Sequence, residues 1–440
     1  MSLSQKQLDA HWMPYTSNRD FKKNPRIIES AEGHYYTNSD GEKVYDIFSG
    51  LWTSGVGHCH PKIVEAVQAQ VAKLDYSMGF QLTHSKAAEL AERVVDMAPA
   101  GFTQCFFTNS GSESVDTALK IALGYHRSKG EANRTRLIGR ERGYHGVNFG
   151  GMSVGGIAPN RKMFSANLIP GVDHIRTTHN LDKNAFTRGQ PEWGAHLADD
   201  LEGIAALHDG SNIAALIVEP VAGSTGILPP PIGYLQKLRK ICDKHGILLI
   251  FDEVITAFGR VGSGFAASRF DVIPDIITSA KGLTNGVIPM GAVLVQEHIY
   301  EAFMQGPETM VELFHGYTYS GHPVAAAAGL ATIDVYQEEG IFDQATALEK
   351  DFEDLLHSFA GHEKVIDVRN FGLMGAIELA PREGAPGARG LESHKRCFHE
   401  EKLVLRNGMD ILQFSPFLNS KIDDLSRSFE SVRRIIDSVE

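Results

Sequence analysis

The chain has 440 residues, of which 42% are hydrophobic and 22% charged, and its formal net charge is -12. Such a length is too great for one simple core and suits two domains with interleaved termini, at an ordinary globular balance of residues. The acidity argues against non-specific nucleic-acid binding, which needs basic surface, though it leaves room for a local basic pocket, and no apolar run reaches the roughly 20 residues that crossing a bilayer requires.

The first residues, MSLSQKQLDAHW, lack the apolar core of a signal peptide, so a cytoplasmic location is expected. The N-terminal 50 or so residues carry strand-like pieces such as HYYTNSD and are expected to join the C-terminal part. SGLWTSGVGHCHP follows. Its Trp52 suits either a pocket wall or a packing anchor among glycines. His58 and His60 have HxH spacing, but no carboxylate or cysteine cluster completes a metal site, and they read as structural. Cys59, Cys105, Cys242 and Cys397 form no CxxC pair and read as free thiols of a reducing compartment.

CFFT (105–108) reads as a strand. NSGSES comes next, then a helix with Val115, Leu119 and Ala122 on one face. Ser110, Gly111 and Ser112 therefore sit at a helix N-terminus, where free backbone N–H groups and the helix dipole favour an anion. The competing reading is a plain helix cap by Ser110 or Ser112, completed by Glu113 or Asp116. Tyr144, in Tyr144-His145-Gly146 after the strand-like RLIG, suits either stacking on a flat ring or core packing.

IAALIVEP (213–220), ILLIFDEV (247–254), DIITSAKG (275–282) and GAVLVQ (291–296) read as strands. Between the first two lies a helix over 234–245, stopped by Gly246. Strand-helix-strand order with strands this apolar implies an α/β fold with a mainly parallel sheet covered on both faces. In such sheets ligands sit beyond the carboxyl ends of the strands. Glu219, Asp252 and Lys281 all fall at or just past such ends, three polar groups converging on one site.

Asp252 follows five apolar residues, so its carboxylate must be paired or protonated. A protonated pyridine nitrogen is one suitable partner; a helix cap or Arg260 is the other reading. Lys281 lies among small residues. Alone, a lysine is a solvated surface charge; partly desolvated, it loses its proton more easily and attacks carbonyls.

From about Val324 the character changes to a small-residue helix, VAAAAGLATIDVY, and then charged helices. The expected division is an N-terminal segment (1–50) joining the small domain, a large domain (51–320) and a C-terminal small domain (321–440). Arg406, in LVLRNGMDILQFSP, lies between apolar strand-like runs. It cannot deprotonate, so it needs an anionic partner, either a protein carboxylate or a substrate carboxylate.

Taken together, FDEVITAFGRVGSGFA and PDIITSAKGLTNGVIPMGAV, with NSGSES, GYHG, EPVAG and YTYSGHP in order, resemble the class III aminotransferases of the fold type I pyridoxal-phosphate group. The resemblance covers nearly the whole chain. It implies a large domain with a mainly parallel, seven-stranded-type sheet and a smaller α+β domain built from both termini. It implies pyridoxal 5'-phosphate as cofactor, Lys281 as the Schiff-base lysine and Asp252 as partner of the pyridine nitrogen. By the same resemblance, Gly111 and Ser112, beside Ser110, bind the phosphate. Tyr144 stacks on the ring, Val254 packs on its other face, and Glu219 stands in the same cofactor site. Thr318 reaches the phosphate of the neighbouring subunit, which implies a homodimer with shared active sites and leaves a tetramer open.

One departure bears on substrate. Some relatives that use 2-oxoglutarate carry a glutamate just after EPIQG that holds a switching arginine; here Ser224 stands at that place. LRNGMDILQFSP and Trp52 look most like the omega-amino-acid:pyruvate branch, in which Arg406 would bind a substrate carboxylate and swing away for a plain amine. The implied reaction moves an amino group from a beta-alanine-like donor or an amine to pyruvate, giving alanine. Rival readings on the same scaffold are an aminomutase or a decarboxylating aminotransferase, and outside catalysis a pyridoxal-phosphate-binding protein. A nucleotide-binding dehydrogenase is disfavoured, because no GxGxxG follows a strand.

Overall fold

A computed structural model describes residues 3–440. At its centre is a seven-stranded sheet, in the order Phe102–Thr108, Gly291–Gln296, Ile276–Ser279, Leu248–Asp252, Ile213–Val218, Arg136–Arg140, Val172–Ile175. All neighbours from Ile276–Ser279 to Val172–Ile175 pair in parallel. The strand Gly291–Gln296 runs antiparallel to both of its neighbours. The reason is length: the segment 280–290 is shorter than the dozen or so residues that a parallel crossover needs. The short return also fixes Lys281 immediately past the carboxyl end of Ile276–Ser279.

The central strand Ile213–Val218 reads as an unbroken apolar run because both of its faces are covered. Alternate residues serve opposite cores. Ala215, Ile217, Leu248, Ile250 and Val293 join Val115, Leu119 and Ala122 of the helix Gly111–Ser128. Leu216, Val218, Leu249, Phe251 and Leu294 join Leu235, Leu238 and Ile241 of the helix Tyr234–His245. That second helix ends where Gly246 takes φ +66°, a left-handed cap that glycine adopts without steric cost. Burying each large side chain of these cores is worth roughly 1.5–3 kcal/mol.

Both ends of the chain meet outside this sheet. The N-terminal strands Ile28–Glu32, Tyr35–Asn38 and Lys43–Asp46 form an antiparallel meander. Its far edge is extended by Leu403–Val404, parallel to Lys43–Asp46. A third sheet, Val365–Phe371, Met374–Leu379, Ile411–Phe414 and Arg406–Gly408, places Arg406 directly opposite Gln413. The small-residue helix Pro323–Glu338 is nearly all buried and packs against Pro61–Lys73, Ser85–Met97 and the turn Lys281–Thr284. Its alanines permit that close approach, and Tyr336 Oη donates to Gly282 O at 2.7 Å, bracing the turn that carries Lys281. Among the described residues no helix is long and apolar enough to cross a membrane.

Candidate active site

Segments leaving the carboxyl ends of five strands enclose a cavity of about 150 Å³. Its walls include Ser110, Gly111, Ser112, Tyr144, His145, Glu219, Asp252, Val254 and Lys281. Eight of the eleven residues singled out from sequence thus line one cavity. Trp52 and Arg406 lie beside it, linked through Lys281, while Thr318 does not reach it.

The two readings of the Ser110 segment both hold. Ser110 Oγ accepts from Glu113 N at 3.2 Å and caps the helix, while Glu113 Oε2 accepts from Asn109 N at 2.7 Å. The cap serves the third helical amide. The amides of Gly111 and Ser112, at the first two helical positions, have no intrahelical acceptor and are free for an anion. A Cβ on Gly111 would lie 2.8 Å from Val254 Cγ1, so only glycine lets this backbone meet the opposite wall. Gly146, at φ +92°, turns the chain so closely over Ser112 that a Cβ would fall 2.4 Å from Ser112 Oγ. Val147 N donates to that hydroxyl at 3.1 Å, fixing Tyr144 and His145 relative to the helix start.

Asp252 is buried and its partner is not Arg260. That guanidinium donates instead to the carbonyls of Leu373 and Pro416 and to Ser49 Oγ. His145 Nδ1 lies 2.7 Å from Asp252 Oδ2, and Asp252 Oδ1 accepts from Thr278 Oγ1 and Val254 N, both at 3.2 Å. The carboxylate is therefore locked in orientation at the cavity wall. Glu219 Oε1 accepts from Tyr144 N at 3.0 Å and Oε2 from Gly223 N at 3.2 Å. Burial pushes the Glu219 carboxyl above its ordinary range. Glu253, next to Asp252, faces away and accepts from the amides of Ala266 and Ala267; burial pushes it up to about 7.

Lys281 is half-buried, with φ +46°. Desolvation pulls its amine down to about 8, an effect that the charges of Asp252 and Glu219 offset only in part. Its Nζ lies 5.5 Å from the ring centroid of Trp52, and Arg406 Cζ lies 5.1 Å from the same ring. Trp52 is itself buried against Phe48. Arg406 donates to Ser224 O at 3.1 Å and to Gln413 Oε1 at 2.6 Å. No carboxylate of the described residues approaches it as an ion pair. Of the two partners the sequence allowed, a protein carboxylate is thus absent.

Thr318 is exposed and outside its own chain's cavity; its carbonyl accepts from Tyr76 Oη at 3.0 Å. His58 pairs with Asp46 at 2.9 Å and His60 with Glu339 at 3.1 Å, at separate places. His179, Asp367 and Glu378 do cluster, but Arg369 donates to both carboxylates. The four cysteines are free thiols. His145 and Gln413 are the site residues that sequence reasoning did not single out. Their partners lie on other strands, and no local spacing announces such contacts.

This donor set fits pyridoxal 5'-phosphate. Gly111 and Ser112 offer unpaired amides for a phosphate. Val254 and Tyr144 offer flat-ring contacts. Asp252 offers an oriented carboxylate for a protonated ring nitrogen, and Lys281 offers a readily neutralised amine for an aldehyde.

Comparison with known proteins agrees with this geometry. A family model described as aminotransferase class-III matches residues 16–436. The chain is 56% identical over 433 residues to an omega-aminotransferase of Caulobacter vibrioides, covering 98% of each. It is 50% identical over 440 residues to a beta-alanine–pyruvate aminotransferase of Pseudomonas aeruginosa, covering 99% of this chain and 97% of that one. The crystal structure of the omega transaminase from Pseudomonas jessenii in complex with PMP superposes with a TM-score of 0.93 at 31% identity. It covers 99% of this chain and 98% of that one. The chain belongs to the class III aminotransferases, a pyridoxal-phosphate-dependent family.

Proposed function

We propose that this enzyme transfers an amino group from an omega-amino acid, beta-alanine-like, or from a plain amine to pyruvate, giving alanine. One observation carries the reading. Arg406 is a half-buried guanidinium beside Trp52 and Lys281 that is held only by neutral acceptors. A guanidinium so placed matches a substrate carboxylate, for which a bidentate pair is the strong geometry. The names of the curated relatives point the same way.

Bound pyridoxal phosphate supplies an electron-poor ring that takes up the electron pair released when the donor carbon loses its proton. The protein residues supply the rest. The amides of Gly111 and Ser112, with the hydroxyls of Ser110 and Ser112, bind the phosphate. Tyr144 and Val254, both in the cavity wall, would pack against the ring. Asp252 keeps the ring nitrogen protonated, and His145 and Thr278 keep Asp252 aimed. Glu219 fixes the Tyr144 backbone. Lys281 Nζ removes the proton from the donor carbon and later returns it, as general base and then general acid. In the cofactor-free chain desolvation already pulls this amine down to about 8, which brings its neutral form within reach. In the second half of the cycle Arg406 binds the pyruvate carboxylate.

The working unit in this proposal is a homodimer with shared active sites. Thr318 supports it, being exposed and outside its own chain's cavity. So does the apolar surface near it, where Phe314 is 86% exposed. The division into a large domain (51–320) and a small one built from 1–50 and 321–440 belongs to the same proposal. It is supported by the pairing of Leu403–Val404 with Lys43–Asp46.

A panel of amino donors against pyruvate and 2-oxoglutarate, followed by the cofactor spectrum, tests the reading. Alanine should form in step with pyruvate consumed and without carbon dioxide release. Lys281→Ala should bind cofactor without the absorbance of the covalent complex and should lose turnover. Preference for 2-oxoglutarate, or near-normal turnover by Lys281→Ala, would sink it.

A further inference from the structure

Gln413 is fully buried and lies opposite Arg406 across two paired strands. Its Oε1 accepts from Arg406 Nη1 at 2.6 Å, and its Nε2 donates to Ser224 O at 3.3 Å. Arg406 Nη1 donates to that same carbonyl at 3.1 Å, closing a triangle. Only one orientation of the amide allows this. Turned over, its NH2 would face the guanidinium and its carbonyl would face the Ser224 carbonyl.

The third corner is itself held in place. Arg142 Nη2 donates to Thr225 O at 2.7 Å and Arg369 Nε to Gly226 O at 3.0 Å. Three consecutive carbonyls, of Ser224, Thr225 and Gly226, thus accept from three different arginines. Arg369 is neutralised by Asp367 and Glu378. Arg406 donates only to an amide oxygen and a peptide carbonyl, beside the Trp52 ring. Neutral acceptors fix the direction of a guanidinium while leaving its charge uncompensated, and a desolvated, uncompensated charge attracts an incoming carboxylate most strongly. A carboxylate at position 413 would instead satisfy Arg406 in advance and compete with the substrate.

We propose that Gln413 is a positioning residue for acceptor specificity: a neutral latch that holds Arg406 beside Trp52, ready for a substrate carboxylate and releasable when the substrate carries none. This rests on the reading of Arg406 as the carboxylate-binding residue. Gln413 touches neither cofactor nor reacting atoms and acts through Arg406.

The test compares Gln413→Glu, Gln413→Met and Arg406→Ala with the parent holoenzyme. The two half-reactions are followed separately by the cofactor spectrum, with pyruvate as acceptor and 1-phenylethylamine as a donor without a carboxylate. Gln413→Glu keeps the shape and adds the charge. It should raise the KM for pyruvate about tenfold or more, where tenfold corresponds to about 1.4 kcal/mol. The amine half-reaction should stay within about threefold, as expected when only carboxylate binding is touched. Gln413→Met removes the latch without adding charge and should raise the same KM by a smaller factor, about threefold to tenfold. If the glutamate variant does not fold, the methionine variant decides alone.

An unchanged pyruvate KM, or equal losses in both half-reactions, would make Gln413 a packing residue and overturn the proposal. Arg406→Ala separates this inference from the reading beneath it. Selective loss of pyruvate use there, with none in the Gln413 variants, leaves Arg406 in its role and removes Gln413. Equal loss of both half-reactions in Arg406→Ala removes both.

Discussion

Replacing Lys281 by methionine removes an ammonium from the cavity wall and keeps an unbranched stem. In the cofactor-free chain the amine sits at about 8, against an ordinary value of 10.5. At about 1.36 kcal/mol per pH unit, the charged lysine costs the folded chain up to about 3 kcal/mol relative to the unfolded one. Between pH 8 and 10.5 the unfolded chain binds more protons than the folded one, so stability rises with pH in that window. Below pH 8 the penalty is present in full. Cofactor-free Lys281→Met should therefore exceed the parent in unfolding free energy by up to about 3 kcal/mol at about pH 7. By about pH 9.5 the gap should shrink by about 2 kcal/mol. Urea unfolding of both proteins without cofactor, at one protein concentration, measures the gap. The narrowing is the diagnostic part, since packing differences between the side chains do not titrate. A gap that stays constant across this range would mean the folded amine is as hydrated as the unfolded one, and the account of Lys281 as a desolvated nucleophile would fail.

Asp252→Asn keeps the size and planar shape of the side chain but replaces one acceptor oxygen by an NH2 donor and cannot hold the ring nitrogen protonated; turnover should fall about 100-fold or more while the cofactor stays bound, read by parallel activity and absorbance measurements. Gly111→Ala places a Cβ 2.8 Å from Val254 Cγ1. Cofactor affinity should drop about tenfold or more, about 1.4 kcal/mol; an unaltered titration curve would show that the two walls move apart freely. Arg406→Ala should weaken pyruvate use about 30-fold or more, the low end of what truncating one partner of a buried charge pair costs. It should spare an uncharged amine donor, and equal losses would take Arg406 out of substrate binding.

The sheet and its site were legible in sequence because they are written in local patterns. Runs such as IAALIV, and the LLIF that precedes Asp252, are apolar at every position, which only strands covered on both faces need to be. Polar residues that end such runs, Glu219, Asp252 and Lys281, stand out because burying them without partners is costly. The strand Gly291–Gln296 was legible as a strand, but its reversed direction follows from the short return past Lys281 rather than from its own residues. Arg260 looked as plausible a partner for Asp252 as anything else nearby in sequence. The fold chose His145 instead, from another strand end 107 positions away.

By itself, then, the sequence determined that the chain is α/β, that three polar groups gather at strand ends, and that Lys281 is the amine to which its chemistry points. Those features depend on periodicity, burial and motif spacing, each carried by neighbouring residues. Tertiary structure decided how each group is held. It gave Asp252 its histidine, brought Trp52 between Lys281 and Arg406, and surrounded Arg406 with the neutral Gln413 and Ser224 carbonyl rather than a carboxylate. Such partners come from distant segments, and their charges and distances are set only when the strands that carry them have paired.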